Sequence, residues 1–352
     1  MGEANTYLQD IVKALFADPD MNSTHRLAAV NSINWARILA QITYYFHAYF
    51  SVCRNTSSSN PAVRFVVPTG NFGDILAGYF ATRMGLPSDK LVIATNENDI
   101  LHRFWQTGRY EKQPSTKANP QGEVGGFPND GAKAHPSGVK ETLAPAMDIL
   151  VSSNFERLLW FLAYRTSSAE ETNNRRMEAG QKVQTWLNAL KSDGGFAVND
   201  TILSAAKETF ASERVSDTET LETIKDVYSW SLPASTQQSN RGTSGTLNQG
   251  HYILDPHSAI GVAASLRSIS QNDSGKSLEH VSLATAHPAK FANAVELALK
   301  DQEGFAFETV LPEQFFGLEK MEKRVTEAEA SWEGVRELVR REVEEEMAAG
   351  KR

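Results

Sequence analysis

The sequence predicts an α/β fold built on a doubly wound, mostly parallel sheet. Three observations lead there. Val63 to Pro68 is a β-branched, apolar run ended by proline, the pattern of a short buried strand. It is followed by a glycine turn, a helical stretch and a second apolar run, Leu91 to Ala94. Strand, helix and strand in that order make a parallel βαβ unit. The same grammar returns late in the chain, where His280 to Thr285 reads as a strand leading through Ala286, His287 and Pro288 into a helix over Ala289 to Leu299.

The remaining elements follow in order. Leu8, Ile11, Val12, Leu15 and Phe16 recur at three-to-four spacing, so Tyr7 to Phe16 is expected to be helical. Asn31 to Phe50 reads as a longer helix entered through a polar turn. Thr69 to Asp74 is a turn rich in residues that tolerate positive φ, and Ile75 to Met84 is a helix closed by Gly85 and Pro87. Another helix is expected to start within Asn96 to Asp99. Asn154 to Arg165, Gly180 to Leu190, Thr201 to Ser212 and Leu221 to Trp230 also read as helical. Residues 108–138 and 232–250 are poor in large apolar side chains and are expected to be flexible loops. The charged stretch from Leu318 to Met347 is expected to be an amphipathic helix, within a helical extension over 312–352. The whole chain, 1–352, is read as a single α/β domain.

Composition narrows the function classes. The 352 residues carry 35 Lys and Arg against 43 Asp and Glu, a net charge of −8 with no basic stripe, so no nucleic-acid partner is expected. The longest apolar-leaning stretch, Trp35 to Val52, is broken by Arg37, Gln41, Thr43 and His47, so no membrane span is expected. One cysteine, Cys53, builds neither a disulfide nor a thiolate metal site. A cytoplasmic protein is the expectation.

Chemistry concentrates at three places. In Thr69-Gly70-Asn71-Phe72-Gly73-Asp74, two glycines between a strand and a helix let backbone N–H groups converge on an anion at the helix N-terminus, with Asn71 adding an amide and Asp74 capping the helix. The spacing is neither the dinucleotide fingerprint nor the lysine-bearing ATP loop; an ordinary tight turn is the alternative. Asn31, Ser32 and Arg37 form a second candidate, a capped helix start that places hydroxyl, amide and guanidinium toward one anion. Thr285 and His287 stand at a strand end, where open α/β sheets hold ligands. His257, in Asp255-Pro256-His257, has similar standing. The eight histidines show no metal-ligand spacing, so no metal is expected.

Taken together the motifs resemble threonine synthase of the fungal type. The stretches are Asn31 to Arg37, Val67 to Asp74, Thr95 to Asp99, Ala146 to Leu150 with Ser153 to Arg157, Asp255 to His257 and Thr285 to Phe291. The resemblance runs from about Gln9 to the C-terminal helix. It implies a fold-type II pyridoxal phosphate enzyme, similar to the tryptophan synthase β chain in fold, that converts O-phospho-L-homoserine and water into L-threonine and phosphate. By resemblance, Gly70, Asn71, Phe72, Gly73 and Asp74 hold the cofactor, Thr285 faces its ring nitrogen, and Asn31, Ser32 and Arg37 hold the substrate phosphate. The ligand is then a small phosphorylated, amino-acid-like molecule.

The family carries its cofactor on a lysine in a Ser/Thr-x-x-Phe-Lys-Asp type motif, and that motif is absent from this sequence. The chain thus reads as the family's C-terminal part, truncated at the N-terminus, and covalent attachment of the cofactor is not expected. The expected assembly is a homo-oligomer, or a pair with a chain that supplies the missing region. Catalytic residues stay unassigned. Two further readings stay open: a repurposed lyase, hydrolase or cyclase working without the cofactor, with His287, His257 or Asp74 as acid or base, and a non-catalytic phosphate-ligand-binding protein.

Overall fold

The computed structural model describes residues 11–25, 27–28, 34–112, 133–134, 138–230, 247–248, 251–272, 277–323 and 325–350. Most of both expected loops, 108–138 and 232–250, lies outside the described residues, as do Asn31 and Ser32. In chain order the principal elements are α1 (Pro19–His25), α2 (Trp35–Thr56), β1 (Val63–Pro68), α3 (Gly73–Arg83), β2 (Leu91–Thr95), α4 (Ile100–Thr107) and β3 (Arg109–Glu111). There follow α5 (Phe155–Arg165), α6 (Thr172–Ser192), β4 (Gly195–Ala197), α7 (Asp200–Thr209), β5 (Phe210–Arg214), α8 (Asp217–Ser229), α9 (Pro256–Ser270), β6 (Glu279–Ser282), α10 (Ala292–Leu299) and α11 (Trp332–Ala348).

The chain divides into two units, 31–314 and a smaller one formed by 1–30 with 315–352. In the larger unit, four strands form a sheet in the order β6-β1-β2-β5, every pair parallel. Val66 lies opposite both Ser282 and Val92, which fixes the register at the centre. Both faces are covered. Val63, Phe65 and Val67 join Leu91 and Ile93 in one apolar cluster with side chains of α2, α3, α4 and α5. Val66, Val92 and Ala94 point the other way, onto Ile260, Ala263 and Ala264 of α9. Burial on two faces is why these strands read as continuous apolar runs without alternation. Gly261 is the close-approach point of α9, since a Cβ there would stand 3.0 Å from the Pro68 ring.

Two elements of the larger unit depart from the sequence reading. The helix expected over Thr201 to Ser212 stops at Thr209, and Phe210–Arg214 pairs with β2 as a strand. Ala, Ser, Glu and Arg carry no strand signal; pairing to β2 and burial of the Phe210 ring overrode local propensity. Helix α9 was not expected at all. Its small residues are buried almost all round, which erases helical periodicity, though Asp255 followed by Pro256 is a start signal that the structure uses: Asp255 Oδ1 accepts from His257 N at 2.9 Å and Ser258 N at 3.3 Å.

In the smaller unit, α11 starts at Trp332 behind the Ser331 cap, not at Leu318. Before it, Leu318–Lys320 forms only one 3₁₀ turn. Arg336 bridges Asp18 at 2.6 Å and Asp20 at 3.2 Å. No helix among the described residues is long and apolar enough to cross a membrane.

Candidate active site

The strand-end turn is the best-defined piece of chemistry in the fold. β1 ends at Pro68, and Thr69 N donates to Ala94 O of β2 at 2.8 Å, so the chain stays tied to the sheet before it turns. Phe72 then adopts φ 64°, ψ 4°, left-handed backbone that a bulky side chain rarely accepts. Its ring holds it there: Phe72 is 1% exposed and packs against Trp105, Phe155 and Phe210 with centroids 6.2, 5.3 and 6.0 Å away. The left-handed residue starts α3 by itself, and Asp74 does not cap the helix as expected from the sequence; no side chain does.

Neighbouring segments lock the turn. Ser152 Oγ donates to Gly70 O at 2.7 Å, and Asn154 N and Nδ2 donate to Asn71 O at 3.1 and 2.9 Å. Ser153 Oγ donates to Asn71 Oδ1 at 3.2 Å. A Cβ on Gly70 would meet Ala146 O at 2.9 Å and Met147 Cα at 3.2 Å, so the glycine is required by the close approach of residues 146–147. The carbonyls of Gly70 and Asn71 are thereby engaged with Ser152–Asn154. The first N–H groups of α3 have no acceptor within the helix.

This turn opens on a cavity of about 150 Å³ lined by Thr69 to Ile75 together with Pro68, Arg37 and Gln41. Arg37 belongs to the first turn of α2, capped by Asn34 Oδ1, which accepts from Ala36 N at 2.9 Å. The helix start is thus capped by Asn34, three residues after the start predicted for it, while Ser32 lies outside the described residues. Gln41 follows Arg37 by four residues, one helical turn, and so faces the same cavity. Among the described residues the lining holds the Arg37 guanidinium, an amide-bearing turn and a helix N-terminus, with no lysine. That donor set suits an anion.

Asp74 is the acid of this site. Tyr45 Oη donates to Asp74 O at 2.8 Å and lies 3.2 Å from Asp74 Oδ1. Tyr45 is fully buried and lies where a Cβ on Gly78 would be 2.5 Å away, so only glycine at that helical position admits the ring. Burial pushes the Asp74 carboxyl up to about 6, against the pull of the Tyr45 hydroxyl. Tyr45 and Ser152 carry no local signal in the sequence, and Asn154 stands out only within the stretch Ser153 to Arg157; each acts from a distant element.

Among the sequence candidates, the structure brings Arg37 and Gly70 to Asp74 to one cavity. Asn31 and Ser32 lie outside the described residues. Thr285 stands three residues past the end of β6, at the same end of the sheet as the turn but not in the cavity lining. His287 caps the 3₁₀ turn Pro288–Lys290, its Nδ1 accepting from Ala289 N at 3.1 Å. His257 is buried, with Nε2 accepting from Ala146 N at 3.2 Å and Nδ1 3.1 Å from Asp255 Oδ1. No cluster of three or more His, Cys, Asp or Glu among the described residues can hold a metal ion.

Fold and cavity together define a parallel, doubly wound α/β protein with an anion-receptive turn at the carboxyl ends of its strands. The family description "Threonine synthase, C-terminal" matches residues 258–339. Threonine synthase of Schizosaccharomyces pombe is 48% identical over 311 residues, 88% of this chain and 53% of its own length. That of Saccharomyces cerevisiae is 47% identical over 341 residues, 97% of this chain and 57% of its own. The crystal structure of yeast threonine synthase superposes with a TM-score of 0.74 at 45% identity, covering 98% of this chain and 58% of that one. A pyridoxal-phosphate-bound threonine synthase from Brucella melitensis does so with 0.65 at 35% identity, over 96% and 57%. The chain belongs to the threonine synthase family, and it spans somewhat more than half the length of these relatives. Its fold is the fold-type II α/β architecture that the sequence predicted.

Proposed function

We propose that this chain carries the phosphate-binding side of a threonine synthase site, a cytoplasmic pyridoxal-phosphate-dependent lyase acting on O-phospho-L-homoserine and water to give L-threonine and phosphate. The observation that supports it is one cavity lined by Gly70 to Asp74 on one side and Arg37 on the other. The donor chemistry fits the cofactor: the N-terminal amides of α3 and the turn would receive its phosphate, and the Arg37 guanidinium in the same cavity would hold a second, substrate phosphate. The cofactor, when bound, supplies an electron sink for chemistry next to the amino-acid nitrogen. Thr285, past the end of β6, would offer a neutral hydroxyl to the ring nitrogen. Arg37 orients the phosphate that leaves as the product anion. Asp74, protonated below about pH 6, adds no repelling charge beside the turn in that range.

No lysine is among the described lining residues, and the turn and Arg37 would hold the cofactor and substrate through their phosphates. A partner, either a second copy or a chain bearing the cofactor lysine, would complete the reaction. The discriminating experiment is equilibrium dialysis of the chain against pyridoxal phosphate and against pyridoxal. Saturable binding of the phosphate ester, at least about tenfold tighter than pyridoxal, is the expected result, since charge-assisted hydrogen bonds to phosphate each contribute roughly 1.5–3 kcal/mol. Equal retention of both compounds would contradict it.

A further inference from the structure

One buried carboxylate is linked both to the segment packed on the glycine turn and to the strand end at Thr285. Asp255, 1% exposed, caps α9, and its two oxygens serve different neighbours beyond that cap. Oδ1 lies 3.1 Å from His257 Nδ1, while His257 Nε2 accepts from Ala146 N at 3.2 Å. An accepting Nε2 leaves the ring proton on Nδ1, so His257 donates to Asp255 as a neutral imidazole. Ala146 is the residue whose carbonyl stands 2.9 Å from the Cβ position of Gly70, against the glycine turn. The other oxygen, Oδ2, accepts a hydrogen bond from Ser258 Oγ. Ser258 Oγ in turn accepts from Thr285 N at 3.2 Å. Each hydrogen along both arms therefore has one donor and one acceptor, and no group in the relay can reverse without breaking its neighbour.

We propose that Asp255 is a positioning residue for the ligand site, setting the glycine turn through His257 and Ala146 and the Thr285 backbone through Ser258. It touches no ligand itself. The inference rests on the cofactor reading above, and it assigns a role to the Asp255-Pro256-His257-Ser258 stretch that the anion cavity does not use. Burial opposes ionisation of Asp255, yet the donors from His257 and Ser258 outweigh it and hold the carboxyl below its ordinary range, as a fixed acceptor requires.

The two arms are separable by probe. Inorganic phosphate reads the turn and its cavity alone; pyridoxal phosphate reads the turn together with the ring partner at Thr285. Ser258→Ala cuts only the Thr285 arm and is expected to weaken pyridoxal phosphate about three- to tenfold, the loss of one buried hydrogen bond, while leaving inorganic phosphate unchanged. Asp255→Asn keeps a capping oxygen but confronts the Ser258 hydroxyl with an amide donor, and is expected to behave like Ser258→Ala. His257→Phe cuts the Ala146 arm and is expected to weaken both probes to a similar extent. Calorimetric titration of the three folded variants and the unaltered chain settles it. Equal losses of both probes in Ser258→Ala, or no loss of pyridoxal phosphate affinity, would overturn the positioning role and leave the cofactor reading intact. Failure of the unaltered chain to bind either probe would overturn the cofactor reading itself and the positioning role with it.

Discussion

Phe72→Ala is expected to cost about 3–5 kcal/mol of folding stability, the range for emptying a large aromatic site in a close-packed core. The ring is 1% exposed and meets Trp105, Phe155 and Phe210, side chains contributed by α4, α5 and β5. Removing it leaves a void bounded by three elements that cannot all collapse together. It also removes the packing that holds a non-glycine residue at φ 64°, a conformation costing about 1–2 kcal/mol on its own. Alanine retains that backbone cost without the compensating contacts. Urea denaturation of the variant and the parent should therefore show midpoints far apart at a similar slope. A difference below about 1 kcal/mol would mean that the turn is not held by its aromatic neighbours.

The second large effect is pH-dependent and belongs to Asp74. In the unfolded chain its carboxyl titrates near 3.8; in the folded chain burial raises this to about 6. Between those values the folded protein keeps a proton that the unfolded chain has released. Stability therefore falls as pH rises through that window and levels off above about 6. The shift corresponds to a loss on the order of 3 kcal/mol. Tyr45 Oη meets the carboxyl at 3.2 Å, and Arg37 lines the same cavity. Asp74→Asn cannot ionise and should remove this component of the slope while accepting the Tyr45 hydroxyl as before. Denaturation series from pH 4 to 7 on both proteins measure it. Parallel curves for the two would show that Asp74 does not carry the raised pKa.

Much of the fold was legible because burial on both faces leaves a plain mark. Val63 to Pro68 and Leu91 to Ala94 are apolar at successive positions, and each became a central strand within one residue of its predicted limits. The glycine turn was legible too, since two glycines between strand and helix have few other uses. What the sequence concealed was set by partners far along the chain. Phe210 to Arg214 is a strand only because β2 offers an open edge, and α9 hides its period because nearly every face is buried. Site residues divided in the same way. Arg37 and Gly70 to Asp74, which line one cavity, stand in local patterns that are visible in the sequence. Tyr45, Ser152, Asn154 and Ser258 matter through contacts spanning 27 to 83 positions, and no local spacing reveals these. The Asp74 error has the same origin: short acids near a helix start usually cap it, but here Phe72 occupies the cap position and Asp74 turns inward to Tyr45.

The reading rests most heavily on Arg37 and the glycine turn acting on one anion. Calorimetric titration of the unaltered chain and of Arg37→Ala with inorganic phosphate, in one low-salt buffer, tests it most directly. The unaltered chain is expected to bind saturably at one site, and the variant about 10- to 100-fold more weakly, the loss of one or two charge-assisted hydrogen bonds. Identical isotherms for the two proteins, or no heat of binding from the unaltered chain, would contradict the account.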